Sequence, residues 1–257
     1  MGSRFSGVLV VLLALVVVGG TAWAYLDWRD RVDATVEEAS DSLVVPSPRP
    51  SASPTAEPEP ADEVVSLWIG DGYTAGVGAD SPEDGYACQT AEELDWTCEV
   101  DAVEGTGFAN AATGDALLDR LPQVQRGVED PDIVVVDAGR NDLRIVSTIN
   151  LRAAMDDYLS RLRAAYPEAV LVQVVPWTLT QDAPLPDDVA GSVRDLAEKY
   201  DGYVVDPYGA GWAGAGRTDR PALRSPGGGA SQDGHDYVAE RLIRALGDLD
   251  LPQPLAR

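Results

Sequence analysis

Three short polar segments, each placed directly after an apolar run, hold the residue types that could do chemistry. Gly70-Asp71-Gly72-Tyr73-Thr74-Ala75-Gly76 follows the run Val64 to Ile69. Val103-Glu104-Gly105-Thr106-Gly107-Phe108 ends the run Cys98 to Val103, and Asp137-Ala138-Gly139-Arg140-Asn141-Asp142 closes the run Ile133 to Ala138. A fourth segment, Ser225 to Tyr237, carries the chain's one histidine, His235. Asp71, at a strand end, could activate a water, although the ordinary role of such a residue is to hydrogen-bond its own turn. Tyr73 and Thr74 bring hydroxyls, but a tyrosine nucleophile needs a depressed pKa that no neighbour in sequence supplies. His235 is a base candidate if Asp233 orients its ring; otherwise it is a structural or surface histidine. Metal chemistry finds no support: Cys88 and Cys98 lie far from His235, and Asp80, Glu83 and Asp84 lack the spacing of a calcium loop. Gly209 to Gly216 lacks the lysine and following helix of a phosphate cradle. Trp177 and Trp212 lie after strand-like runs, where they pack in the core or line a cleft. No cofactor or metal is implied.

The elements that must position these segments alternate. Runs at Val64 to Ile69, Cys98 to Val103, Ile133 to Ala138, Val170 to Val175 and Tyr203 to Val205 read as strands. Helical patterns lie near Tyr86 to Leu94, Gly114 to Gln125, Thr148 to Ala165 and Asp187 to Tyr200, with a last one from near Gly234 towards Leu246. Consecutive apolar residues such as Ile133-Val134-Val135-Val136 suit strands covered on both faces, and strand-helix alternation predicts a parallel sheet of about five strands with helices on each side. Ligands in such open sheets bind at the carboxyl ends of the strands, where the polar segments fall.

Taken in order, these segments resemble the blocks of the SGNH (GDSL-type) hydrolases. The first is similar to Gly-Asp-Ser-x-Thr-x-Gly, with Gly72 at the position of the nucleophilic serine. The second resembles the block whose glycine N–H helps bind an oxyanion; Gly105 is the best register, with Gly107 possible. Gly139-Arg140-Asn141-Asp142 matches Gly-x-Asn-Asp, whose asparagine also donates to the oxyanion. The fourth segment resembles Ser-Pro-Asp-Gly-x-His-Pro followed by Gly-His. Counting forward from Ser225-Pro226 puts the family's aspartate at Gly227; counting back from Gly234-His235 puts its histidine at Gly229. The two counts differ by one residue, which suggests a deletion.

The resemblance covers Asp62 to Leu246 and implies a three-layer α/β/α flavodoxin-like fold of esterase or acyl-hydrolase ancestry. Gly72, Gly105 and Asn141 would form its oxyanion pocket. Acyl transfer needs a hydroxyl nucleophile and a base as well as that pocket. The expectation is therefore a catalytically degenerate domain binding an acylated glycan, lipid or peptide. Two alternatives stand beside it: an active esterase using water or an unconventional base (Asp71 or His235), and an envelope structural or interaction module.

Composition sets the surroundings. The chain has 257 residues, 45% of them hydrophobic, and a formal charge of -24, which argues against nucleic acid or anionic lipid headgroups as partners. Phe5 to Leu26 is an uncharged apolar run of about 22 residues, enough to cross a bilayer, with Arg4 before it and Asp27 after it. Residues 1–27 are thus expected to be a transmembrane anchor, or a signal peptide cleaved near Ala24. Residues 28–61 form a juxtamembrane segment and a Pro-rich spacer, and 62–257 the hydrolase-like domain, held outside the membrane. In an oxidising compartment Cys88 and Cys98 are expected to pair.

Overall fold

The computed structural model describes residues 63–111, 115–143, 145–179, 187–211, 223–224 and 229–252. The apolar run 5–26, the Pro-rich spacer, Trp212 and Gly227 lie outside the described residues. Within them, no helix is long and apolar enough to cross a membrane.

Five parallel strands form one sheet in the order β2-β1-β3-β4-β5. They are β1 (Val64–Gly70), β2 (Trp96–Ala102), β3 (Ile133–Asp137), β4 (Val170–Val174) and β5 (Gly202–Val205). The strand expected from Cys98 begins two residues earlier, because Trp96 pairs with Val64 and Thr97 with Val65. Along β1 and β3 the side chains alternate between two separate cores. Trp68, Ile133 and Val135 enter one; Leu67, Ile69, Val134 and Val136 enter the other. A strand buried on both faces has no solvent side to mark with polar residues, hence the unbroken apolar runs.

The first core is covered by α1 (Tyr86–Glu93) and α5 (Gln232–Gly247), the second by α2 (Leu117–Gly127), α3 (Thr148–Ala165) and α4 (Asp187–Lys199). This is the three-layer α/β/α architecture. The helix expected from Gly234 starts two residues sooner, because the Ser231 side chain accepts from the Gly234 N–H at 3.2 Å and caps its first turn. Cys88 on α1 and Cys98 on β2 form a disulfide that ties a helix to the edge strand.

The chain leaves β1 towards β2 on one side and returns to β3 on the other. That reversal puts the switch point of the sheet at the carboxyl ends of β1 and β3, the place where ligands of such sheets bind. One buried cation braces the turns beside it. Arg120 of α2 pairs with Asp101 at 2.9 Å and donates to the Thr106 hydroxyl at 3.0 Å and the Gly70 carbonyl at 3.3 Å. The guanidinium therefore fixes the turns after β1 and β2 to one helix.

Candidate functional site

Gly72, Gly105 and Asn141 stand in the turns after β1, β2 and β3, and the bonds among those turns bring them together. Asp71 is 1% exposed. Its Oδ1 accepts from the Tyr73 N–H at 3.0 Å and from the Arg140 guanidinium, and its Oδ2 accepts from Asn141 Nδ2 at 2.8 Å. Burying a carboxylate demands such partners. Asp71 thus holds its own turn and fastens it to the turn after β3, with both oxygens accepting from protein donors. Arg140 donates also to the Trp177 carbonyl at 3.1 Å, and its guanidinium lies 3.6 Å from the centroid of the Tyr73 ring. Stacked and paired in this way, it is part of the wall.

Asn141 bridges three turns. The same Nδ2 that reaches Asp71 donates to the Thr106 carbonyl at 2.9 Å, so both amide hydrogens are engaged. The next residue, Asp142, is fully buried and accepts from the backbone N–H groups of Phe108, Ala109 and Asn110, each at 2.9 Å. This carboxylate moulds the loop after β2. A Cβ on Gly107 would stand 2.0 Å from Asp142 Oδ2, which requires glycine there. The Gly107 N–H is spent on the Asn110 carbonyl at 2.8 Å. Gly105, by contrast, takes φ +78°, and among the described residues no hydrogen bond engages its N–H or that of Gly72. Of the donors assigned to an oxyanion pocket, these two backbone groups remain open in the structure.

Under the turns lies a second polar cluster. Asp137, the last residue of β3, accepts from the Tyr86 hydroxyl at 2.5 Å and from Trp177 Nε1 at 3.0 Å. Thr74 Oγ1 is 2.8 Å from the same Tyr86 hydroxyl. Burial pushes the Asp137 carboxyl up to about 6, against the pull of Arg140 and the Tyr86 bond. Burial and the adjacent Asp137 hold the Tyr86 phenol well above its usual value.

His235 is fully buried. The Tyr86 N–H donates to its Nδ1 at 3.3 Å, so that nitrogen is the acceptor, and Nε2 carries the proton to the Val77 carbonyl at 3.2 Å. Burial lowers its pKa below the usual histidine value. The ring stacks on Tyr86 at 5.9 Å. The histidine is a neutral strut between α5, α1 and the first turn, with both nitrogens occupied. Asp233 does not orient it in any hydrogen bond among the described residues.

Gly72 has no side chain to attack a carbonyl. Its neighbour is Glu104: a Cβ built on Gly72 would meet Glu104 Cγ at 3.0 Å and its Cα and Cβ at 3.3 Å. Glu104 is exposed, and among the described residues it makes no hydrogen bond or ion pair. Gly229 precedes the Ala230 bridge to Arg224 and the Ser231 cap, and no hydrogen bond links it to Gly72, Gly105 or Asn141 among the described residues. Trp177 is buried at 2% exposure. Among the described residues no group of His, Cys, Asp and Glu could hold a metal ion.

Several residues of the site carry no chemical label in the blocks themselves. Asp137 had a signal, since an aspartate that ends four apolar residues of a buried strand must find donors. Arg140, Asp142 and Arg120 sit inside or beside the motifs, but their partners are distant in sequence. Glu104 lies within the second segment, and what marks it is its contact with Gly72, which only the fold supplies.

A family model described as GDSL-like Lipase/Acylhydrolase family matches residues 68–247. Among solved structures, a family two carbohydrate esterase from Clostridium thermocellum, in complex with cellohexaose, is 19% identical with a TM-score of 0.58. That match covers 76% of this chain and 66% of that one, so the present chain spans slightly less than two thirds of its length. TesA is 19% identical with a TM-score of 0.56, covering 74% of this chain and 99% of that one. An acetyl xylan esterase from the rumen bacterium Butyrivibrio proteoclasticus is 16% identical with a TM-score of 0.56, over 73% of this chain and 64% of its own. No curated protein matches the chain. At these identities the structural likenesses establish the fold.

Proposed function

Because the chain belongs to the GDSL-like lipase/acylhydrolase family, we propose that it is a catalytically degenerate member that keeps the crevice of the fold as a binding pocket. The observation that carries this reading is the state of the three groups able to start acyl transfer. Gly72 offers no hydroxyl. Asp71 is consumed by Arg140, Asn141 and the Tyr73 N–H, and His235 by the Tyr86 N–H and the Val77 carbonyl. Without a nucleophile and a base, open N–H groups can hold a polar ligand but have no covalent route. The ligand class is an acylated or ester-bearing molecule of the envelope, a glycan, lipid or peptide. The carbohydrate esterases among the structural neighbours favour a glycan.

The setting belongs to the same proposal. Residues 1–27 anchor the chain in the membrane or are cleaved from it, residues 28–61 act as a spacer, and the domain faces the oxidising side. The Cys88–Cys98 disulfide supports that side.

The test is hydrolysis of nitrophenyl acetate by the full chain, beside a variant carrying Gly72→Ser, Gly227→Asp and Gly229→His. The native chain is expected to match the buffer rate. Steady turnover by the native chain overturns the reading and reinstates an esterase working through water.

A further inference from the structure

The pocket has not simply lost a side chain at Gly72; another occupies the space. Glu104 Cα, Cβ and Cγ lie 3.0–3.3 Å from the point where a Cβ on residue 72 would stand. Real Cβ atoms are rarely this close to a neighbour, so a serine at 72 and the present Glu104 conformation compete for one volume. The Glu104 carboxyl carbon is one bond beyond Cγ, so the carboxylate stays close to residue 72, whose N–H, like that of Gly105, makes no hydrogen bond among the described residues. Among the described residues the two nearest cations are engaged elsewhere: the Arg140 guanidinium is paired with Asp71 and stacked on Tyr73, and Arg120 is paired with Asp101.

We propose that Glu104 is the specificity-determining residue of this pocket, making it a site for a sugar hydroxyl and closing it to carboxylate anions. This rests on the binding reading above and narrows it. A hydroxyl donates to the Glu104 carboxylate and accepts from an N–H, so it satisfies both kinds of group at once. An ester carbonyl or a carboxylate only accepts; it can use the N–H groups but leaves Glu104 without a donor. An anionic ligand in addition meets a like charge. At about 4 Å in water that repulsion weakens binding by about fivefold, and more where water is excluded. The formal charge of -24 on the whole chain acts in the same direction.

The test follows the amide signals of Gly72 and Gly105 by NMR in the full chain, at fixed ionic strength. The probes are sodium acetate and methyl xyloside, and the proteins are native, Glu104→Gln and Glu104→Ala. Glu104→Gln keeps the shape and removes the charge; Glu104→Ala alters an exposed side chain that makes no bond, so both variants fold. Methyl xyloside is expected to shift the two amides in the native chain and to bind on the order of fivefold more weakly in Glu104→Ala. Acetate is expected to bind about fivefold more tightly in both variants than in the native chain. Equal acetate affinity in all three proteins overturns the role of Glu104. Acetate gain without any response to methyl xyloside overturns the hydroxyl assignment. Silence from both probes in all three proteins overturns the pocket reading itself, and the inference with it.

Discussion

At the floor of the proposed pocket Asp71 is 1% exposed and held by three donors; at its rim Glu104 is exposed and, among the described residues, bonds to nothing. The two carboxylates stand in neighbouring turns, Glu104 against the Gly72 that follows Asp71, yet they answer to different constraints. A buried charge must be paired and hydrogen-bonded or the fold is destabilised, so every member of the floor is fixed by its neighbours. Asp71, Arg140, Asn141, Asp137, Tyr86, Trp177 and His235 form such a set, whatever chemistry occurs above them. Glu104 faces water, where a carboxylate costs the fold little, whereas Gly72 beside it is buried. Family motifs therefore do not by themselves report an activity: the parts of them that are buried are also structural.

The sharpest way to break this contrast is to remove a floor carboxylate. Asp71→Ala leaves the Arg140 guanidinium, itself 18% exposed, without its ionic partner. The expected loss is about 3–5 kcal/mol in denaturant unfolding. Glu104→Ala is expected to stay within about 0.5 kcal/mol of the native chain. Equal losses would show that the rim is structural too. The disulfide offers an intermediate effect from a third place. Replacing Cys88 and Cys98 with serine frees a loop of sequence separation 10 and is expected to cost about 3 kcal/mol, without moving the amide signals of Gly72 or Gly105.

The floor should also report itself through pH, with two opposite signs. Asp137 holds its proton more tightly when folded, at about 6, than in the unfolded chain near 4. Its contribution is complete below the unfolded value and is lost as pH rises through about 6. For a two-unit rise the size is on the order of 3 kcal/mol. His235 is depressed by burial, so its contribution is present above about 6.5 and is lost as pH falls through its lower folded value. Unfolding measured from pH 4 to 8 should therefore show a falling component that Asp137→Asn removes and a rising one that His235→Gln removes. Unchanged profiles in both variants would mean that neither group titrates in its buried setting.

The contrast explains what could be read in the residues alone. Strand-helix alternation, the blocks after β1, β2 and β3, and the expected pairing of Cys88 with Cys98, the chain's two cysteines, are legible in the sequence, and each is present in the structure. Element ends shifted where a partner decides them. β2 begins at Trp96 because β1 pairs with it there, and α5 begins at Gln232 because Ser231 caps it. The geometry of the site was far less legible. Asn141 is written as an oxyanion donor in its motif, but what its amide touches depends on where Asp71 and Thr106 come to rest. His235 could be weighed as a base until the Tyr86 N–H and the Val77 carbonyl, 149 and 158 residues away in sequence, claimed its nitrogens. Glu104 was invisible for the same reason, since its meaning lies in contact with Gly72 across two strands.

That contact supplies the finest test. Gly72 does not take a positive φ, so the backbone itself accepts a side chain, and the obstacle is Glu104. Gly72→Ser should cost about 1 kcal/mol through overpacking in the native background. Glu104→Ala removes the atom at 3.0 Å and leaves the contacts at 3.3 Å, which a shift of tenths of an ångström relieves. The same serine should then cost less by about 0.5–1 kcal/mol, a coupling that a double-mutant cycle resolves in denaturant unfolding. Additive costs would mean that Glu104 swings aside freely when residue 72 gains a side chain. The rim would then be open to a hydroxyl at any time, and the absence of one at Gly72 would owe nothing to Glu104.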